Sequence, residues 1–172
     1  MAVARRLVFD ASVWINLLAT EQPWTIVGAL GVRCVTPEEV VREVKRNPIT
    51  GQTYSVEKHP LRRQPNVDVV KLSGDELDLF LSLVGQDSAD ALGDGEAAAI
   101  AVARVRQCAV ALDDGKARRI IRERYPDTTI VMTVDILRDR VVKARLGEEA
   151  SKAAFEKARQ FGRMHVPKIV SA

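Results

Sequence analysis

The chain has 172 residues, of which 47% are hydrophobic and 28% charged, with a formal net charge of +3. That length fits one ordinary domain with a sizeable core, and the composition excludes an intrinsically disordered chain. Cys34 and Cys108 are too few for a disulfide scaffold and form no C-x-x-C pair, which argues against a structural zinc site.

The apolar stretch near the N-terminus stops at Asp10, too short for a secretory signal, and no apolar run approaches the ~18 residues of a membrane span. A cytoplasmic protein without a membrane partner is expected. The mild positive charge permits a nucleic-acid partner without demonstrating one, because charge placement matters more than the total.

In chain order, short apolar runs alternate with longer helical patterns, which predicts an α/β domain with a mainly parallel sheet. Leu7 to Phe9 reads as a buried strand ending at Asp10, and Val13 to Ala19 as a core helix. Pro23 to Leu30 reads as a second helix, opened by proline and closed by Gly31. Val32 to Val35 is the next strand. Thr36 is then expected to cap a helix with Pro37, Glu38 and Glu39 in its first turn. Residues 47–66 form the least regular stretch, rich in proline and polar residues, and are expected to be a long loop. Val67 to Leu72 reads as a strand. Ser73-Gly-Asp-Glu76 reads as a capping box opening a helix to Val84. Asp94 is expected to cap the alanine-rich helix 97–105. Ala109 to Leu112 reads as a strand ending at Asp113 and Asp114. Lys116 to Arg124 reads as a basic helix, Thr129 to Val134 as a last strand, and 135–165 as two helices broken near Gly147. No repeat or linker divides the chain, so one domain over 1–172 is expected, with a helical extension at 146–172.

The acids fall at telling places. Asp10 and the Asp113–Asp114 pair each follow an apolar strand, and open parallel sheets bind ligands beyond the carboxyl ends of their strands. Glu43 lies on the helix after the second strand, and Glu96, beside Asp94, opens the helix before the strand 109–112. A pair of like charges at about 4 Å costs roughly 4 kcal/mol at an effective dielectric of 20, so such a cluster calls for a cation. Magnesium or manganese, which prefer oxygen ligands, would suit it, and a metal-held water can attack a phosphate without a histidine or cysteine nucleophile.

Four segments in order, spanning roughly residues 7 to 145, resemble the motifs of the PIN-domain family. Asp-Ala-Ser-Val-Trp-Ile-Asn from Asp10 to Asn16, after a strand, resembles its opening motif. Val-Thr-Pro-Glu-Glu-Val-Val-Arg-Glu-Val from Val35 to Val44 resembles the second and places Glu43 as an acid. The segment Leu92 to Ala103 is similar to the Gly-Glu-Ala form of the third, with Glu96 where many members carry aspartate. Val110 to Arg118 matches the fourth, Asp-Asp-x-Lys-Ala-Arg. The resemblance implies a Rossmann-like three-layer α/β/α sandwich. It also implies a Mg2+- or Mn2+-dependent ribonuclease cleaving single-stranded RNA by metal-activated water, and frequent homodimers. Many small bacterial members are toxins held by a partner antitoxin protein. Asp10, Glu43, Glu96 and Asp114 are then the catalytic acids, with Asp10, Glu96, Asp113 and Asp114 as metal ligands. The motif favours Asp114 over Asp113 as the direct ligand, and both stand as candidates.

Ser12 and Asp94 are candidate supporting residues. Lys116, Arg118, Arg119 and Arg122 form a basic run beside the acids and are candidate contacts to the nucleic-acid backbone, against the alternative of a solvated helix face. Tyr54, His59, Arg62 and Arg63 on the long loop are weaker ones. Trp14 and Trp24 are expected in the core or a dimer contact. The alternative for the whole chain is a non-catalytic PIN-like module that docks RNA or protein, favoured by the glutamate at the third position.

Overall fold

The computed structural model describes residues 5–87 and 89–167. Among them five strands form one all-parallel sheet, and helices cover both of its faces. The strands are β1 (Arg6–Phe9), β2 (Arg33–Pro37), β3 (Val67–Val70), β4 (Ala109–Ala111) and β5 (Ile130–Val131). The helices are α1 (Ala11–Ala19), α2 (Pro23–Leu30), α3 (Glu38–Glu43), α4 (Asp75–Val84), α5 (Asp94–Val105), α6 (Gly115–Arg124), α7 (Thr133–Arg138), α8 (Arg140–Leu146) and α9 (Glu148–Lys157), the last followed by a wide turn over Ala158–Gly162. The α/β domain with a mainly parallel sheet expected from the alternating pattern, and the three-layer α/β/α sandwich that the resemblance implies, are the observed fold. No described helix is long and apolar enough to cross a membrane.

The strand order is β3-β2-β1-β4-β5. From β1 the chain builds outward through β2 to β3, then returns across the sheet to place β4 on the other side of β1. Val8 pairs with Val35 on one side and with Val110 on the other. That reversal opens a crevice beyond the carboxyl ends of β1 and β4, the usual ligand position in open α/β sheets. The site is therefore fixed by topology before any side chain is considered.

β1 lies at the centre, and Val8 and Phe9 have no exposed surface. The alanine-rich run explains why α5 can lie directly on the sheet. Ala97, Ala98, Ala99, Ala101 and Ala103 are buried, and small side chains let the helix backbone approach β1, β2 and β4. Trp14 is fully buried, stacks on Phe9 with ring centroids 4.7 Å apart, and tilts against Trp24 at 6.1 Å. Its indole N–H donates to Thr36 Oγ at 3.0 Å, which ties α1 to β2.

Several local expectations shift. Thr36 is not a helix cap: it is the buried penultimate residue of β2, its hydroxyl taken by Trp14, and Pro37 precedes the helix instead. Ser73 does not cap α4, which Gly74 opens at φ +52°. The last strand is two residues long rather than six, because Thr133 turns into α7. The C-terminal helical region breaks twice, at Asp139 as well as Gly147: Asp139 is extended and its carboxylate accepts from Val141 N–H, opening α8. The stretch 47–66 is held at several points. Arg46 and Thr53 form an antiparallel bridge, Leu61 is fully buried, and the His59 ring bridges Val44 O at 2.7 Å and Leu61 N–H at 3.3 Å.

Trp14 is the test of this packing. Trp14→Ala should lower unfolding free energy by about 3–5 kcal/mol through cavity formation. Thr36→Val should cost roughly 1–3 kcal/mol by orphaning the buried indole N–H. Urea denaturation curves measure both, and a loss well under 1 kcal/mol for Trp14→Ala would contradict the packing.

Candidate active site

Asp10 leaves β1 with an extended backbone and caps α1. Its Oδ2 accepts from Ser12 N–H at 3.2 Å and from the Ser12 hydroxyl at 2.6 Å. Its backbone N–H donates to Ala111 O at 3.0 Å, so the carboxylate stands between the ends of β1 and β4. The side chain is 2% exposed, and Oδ1 is buried without a hydrogen-bond partner. Helix cap and buried site acid are thus one residue in two roles. Burial first, and the charge of Glu43 further, push its carboxyl up from 3.8 to about 6 against the pull of the Ser12 hydrogen bonds.

Glu43 is the last residue of α3, and its Oε1 accepts from Gly95 N–H at 2.8 Å. It thereby occupies the positive end of α5, where unpaired N–H groups favour a carboxylate. A Cβ at Gly95 would lie 2.6 Å from Glu43 Oε2, so any larger residue there would displace the Glu43 carboxylate from this position. One turn of α5 also carries Glu96, whose Oε2 turns back to Gly93 N–H at 3.2 Å. Burial, and then the charges of Asp114, Asp10 and Glu43, push the Glu96 carboxyl up from 4.5 to about 7. Charge from three acids reaches one glutamate.

Asp113 and Asp114 divide their work. Asp113 Oδ1 accepts from Thr133 N–H at 2.8 Å, and Oδ2 accepts from the Thr133 hydroxyl at 2.5 Å and from Asn16 Nδ2 at 2.6 Å. Its N–H reaches Ser12 Oγ at 3.4 Å, which links it to Asp10. Asp114 caps α6 through Oδ1 and Ala117 N–H at 2.8 Å. Both line a cleft of about 860 Å3 together with Ser12, Asn16, Glu43 and Glu96. Asp94 is exposed at the first position of α5 and does not line the cleft; Gly93 holds the cap position.

The basic run separates in the same way. Arg118 lines the cleft and its Nε donates to Asp113 O at 3.3 Å. Lys116 bonds Ala91 O at 2.5 Å, Arg119 pairs with Asp90 and Glu123, and Arg122 lies on the exposed face of α6 outside the cleft. On the long loop Arg62 is engaged by Glu38, and His59 is buried against Tyr54. Burial holds His59 below its usual range.

Sequence reasoning missed Asn16 and Thr133, which lock Asp113. An asparagine in the apolar run Val13 to Ala19 was the available signal. It also missed the rest of the wall, made by Lys45 and Arg46 after α3 and by Phe161, Gly162, Arg163 and His165 after α9. Nothing in local sequence connects those residues to Asp10.

Chemically, four carboxylates, those of Glu43, Glu96, Asp113 and Asp114, face the cleft together with the Ser12 hydroxyl and the Asn16 amide. Hard divalent cations of the magnesium or manganese kind take such donors, and the sealed, unpartnered Asp10 Oδ1 is an atom that a cation would satisfy. Among the described residues no group of three or more Asp, Glu, His or Cys side chains is arranged so that it could hold a metal ion.

Stability against pH reports this electrostatic load. Both raised carboxyls bind protons more tightly folded than unfolded, so their penalty is absent below the unfolded values and complete above the folded ones. The Asp10 window runs from 3.8 to about 6 and the Glu96 window from 4.5 to about 7. For Asp10 the full penalty is on the order of 3 kcal/mol. His59 acts oppositely, since protonation on acidification opposes its burial. Chelator-treated protein should therefore lose stability from pH 5 to 7.5 more steeply than its Asp10→Asn variant, as read by thermal unfolding. Equal slopes would contradict the assignment.

A family model described as DUF3368: PIN domain matches residues 6–169. No curated protein and no solved structure matches the chain. The match takes in every strand of the sheet and all of the acids that line the cleft, and the chain belongs to the PIN-domain family.

Proposed function

We propose that this protein is a divalent-metal-dependent endoribonuclease that hydrolyses single-stranded RNA in the cleft lined by Glu43, Glu96, Asp113 and Asp114, next to the buried Asp10. PIN domains are in general nucleases. The observation that carries the reading is the convergence of Glu43, Glu96, Asp113 and Asp114 on one cleft, next to the buried and unpartnered Asp10 Oδ1.

Asp10, Glu96 and Asp114 are the residues proposed to hold the ion. Magnesium or manganese bound there would supply a water acidic enough to attack phosphorus near neutral pH and would offset charge developing on the phosphate. The chain's own groups do the rest. Ser12 fixes the Asp10 carboxylate. Glu43, pinned by Gly95 N–H, adds the negative charge that keeps Glu96 and Asp10 avid for a cation. Asp113, both oxygens occupied by Thr133 and Asn16, is assigned a positioning role that holds the exit of β4, leaving Asp114 as the ligand. Arg118 is the basic residue of the run placed to meet a phosphate oxygen.

A second reading, a non-catalytic module that docks RNA or protein, draws on the spacing of the carboxylates, which among the described residues form no group of three or more arranged to hold a metal ion. Two measurements on the same protein separate the readings. Asp10→Asn should abolish manganese-dependent cleavage of single-stranded RNA, and Asp113→Asn should reduce it by about 10–100-fold. Manganese at 100 times its dissociation constant should stabilise the wild-type protein by about 2.7 kcal/mol and the Asp10→Asn variant by much less. Undiminished cleavage by Asp10→Asn sinks the mechanism, and no stabilisation at millimolar manganese favours the binding module.

The size of the chain and its family motivate a finer proposal, that it is a toxin restrained by an antitoxin protein. Its expression in a bacterium lacking the antitoxin gene should arrest growth, and Asp10→Asn should relieve the arrest. Normal growth on strong expression of the intact chain would refute the toxin role.

A further inference from the structure

Part of the cleft wall is built by the turn after α9. Ala158–Gly162 forms a wide turn that closes when Met164 N–H donates to Ala158 O at 3.1 Å, with Arg163 in the left-handed region at φ +68°. Buried Met164, 5% exposed, anchors the segment. Gly162 lies directly on the site: a Cβ there would stand 2.4 Å from Asn16 Oδ1 and 2.8 Å from Asn16 Cα. Asn16 is the residue that holds Asp113. The turn is therefore seated on the same buried polar network that orders the acids.

This seating leaves Phe161 as an aromatic side chain of the cleft wall, 42% exposed. An apolar ring kept half in solvent beside carboxylates gains little from burial there. The same cleft is lined by Lys45, Arg46, Arg118 and Arg163, and among the described residues none of these four enters a salt bridge, whereas Arg62, Arg119 and Arg124 all do. Cations without salt-bridge partners and a part-exposed aromatic ring line one groove. Single-stranded nucleic acid is met by that combination, with basic groups on its phosphates and a ring on an unpaired base.

We propose that Phe161 is a base-stacking residue, holding one unpaired base of the substrate while Arg118 and Arg163 take adjacent phosphates. The inference rests on the nuclease reading and names the residue that would hold an unstacked base of that single-stranded substrate. Duplex RNA, whose bases are stacked on one another, cannot present that face.

The test is binding of fluorescently labelled oligoadenylate to Asp10→Asn protein in magnesium, read by anisotropy, with Phe161→Leu added in a second protein. An abasic strand of the same length serves as the paired probe. Stacking on an aromatic side chain is worth about 1–3 kcal/mol per base, so Phe161→Leu should weaken oligoadenylate binding by roughly 5- to 150-fold. It should leave abasic-strand binding unchanged, and Phe161→Trp should restore the affinity. Unchanged melting temperature in Phe161→Leu excludes unfolding as the cause. Equal oligoadenylate affinity with Phe161 or Leu overturns the stacking role, even with Asp10-dependent cleavage intact. An equal loss on both strands overturns it too, assigning Phe161 a structural part or a protein partner. Cleavage by the Asp10→Asn parent instead refutes the nuclease mechanism, and failure of that parent to bind either strand removes both proposals.

Discussion

Like charge gathered at one edge of a parallel sheet is the constraint around which this molecule is arranged. Reversal of strand order between β1 and β4 places Asp113 and Asp114 on one crevice, with Asp10 buried next to it and bonded to Ser12 of its lining. Helices α3 and α5 bring Glu43 and Glu96 to the same place. Burial first, and the charge of neighbouring acids after it, hold the carboxyls of Asp10 and Glu96 well above their ordinary ranges. The fold tolerates this with fixed dipoles: two Ser12 donors on Asp10, the Gly95 N–H on Glu43, and the Gly93 N–H on Glu96. None of these is a full counter-charge, and Asp10 Oδ1 has no partner at all.

The glycines and small residues near the site follow from the same constraint. Gly95 exists because the Glu43 carboxylate sits where its Cβ would be, and Gly162 because Asn16 does. The alanines of α5 let that helix lie close enough to the sheet for its first turn to meet both glutamates. Core packing and site assembly are one problem here: Trp14, stacked on Phe9 and bonded to Thr36, fixes α1 and with it the orientation of Asp10, Ser12 and Asn16.

Much of this was legible from residues. A strand ending in aspartate, twice, located the sheet edge, because strand-end acids in a parallel sheet share one side by topology. The facing of Glu43 was not, since Val40, Val41 and Val44 leave the side of so short a helix open; its contact with Gly95 comes from tertiary packing. Asp94 and Glu96 are two residues apart, and cap preference pointed to aspartate, yet the helix starts at Asp94 after an extended Gly93. The basic run 116–124 looked uniform in sequence, but its helix turns Arg118 alone of the four named candidates to the cleft. Phe161 and Arg163 were invisible, because more than a hundred residues separate them from Asp10 and only the docking of a C-terminal turn on α1 unites them.

The central claim is that the acids are tolerated together because a cation completes them. Anomalous diffraction at the manganese edge, from crystals grown with the ion, addresses it directly. The account predicts a peak in contact with Asp10 Oδ1 and with a carboxylate oxygen of Glu96 or Asp114. A cleft without such a peak at saturating manganese, or an ion bound elsewhere with Asp10 untouched, would contradict it.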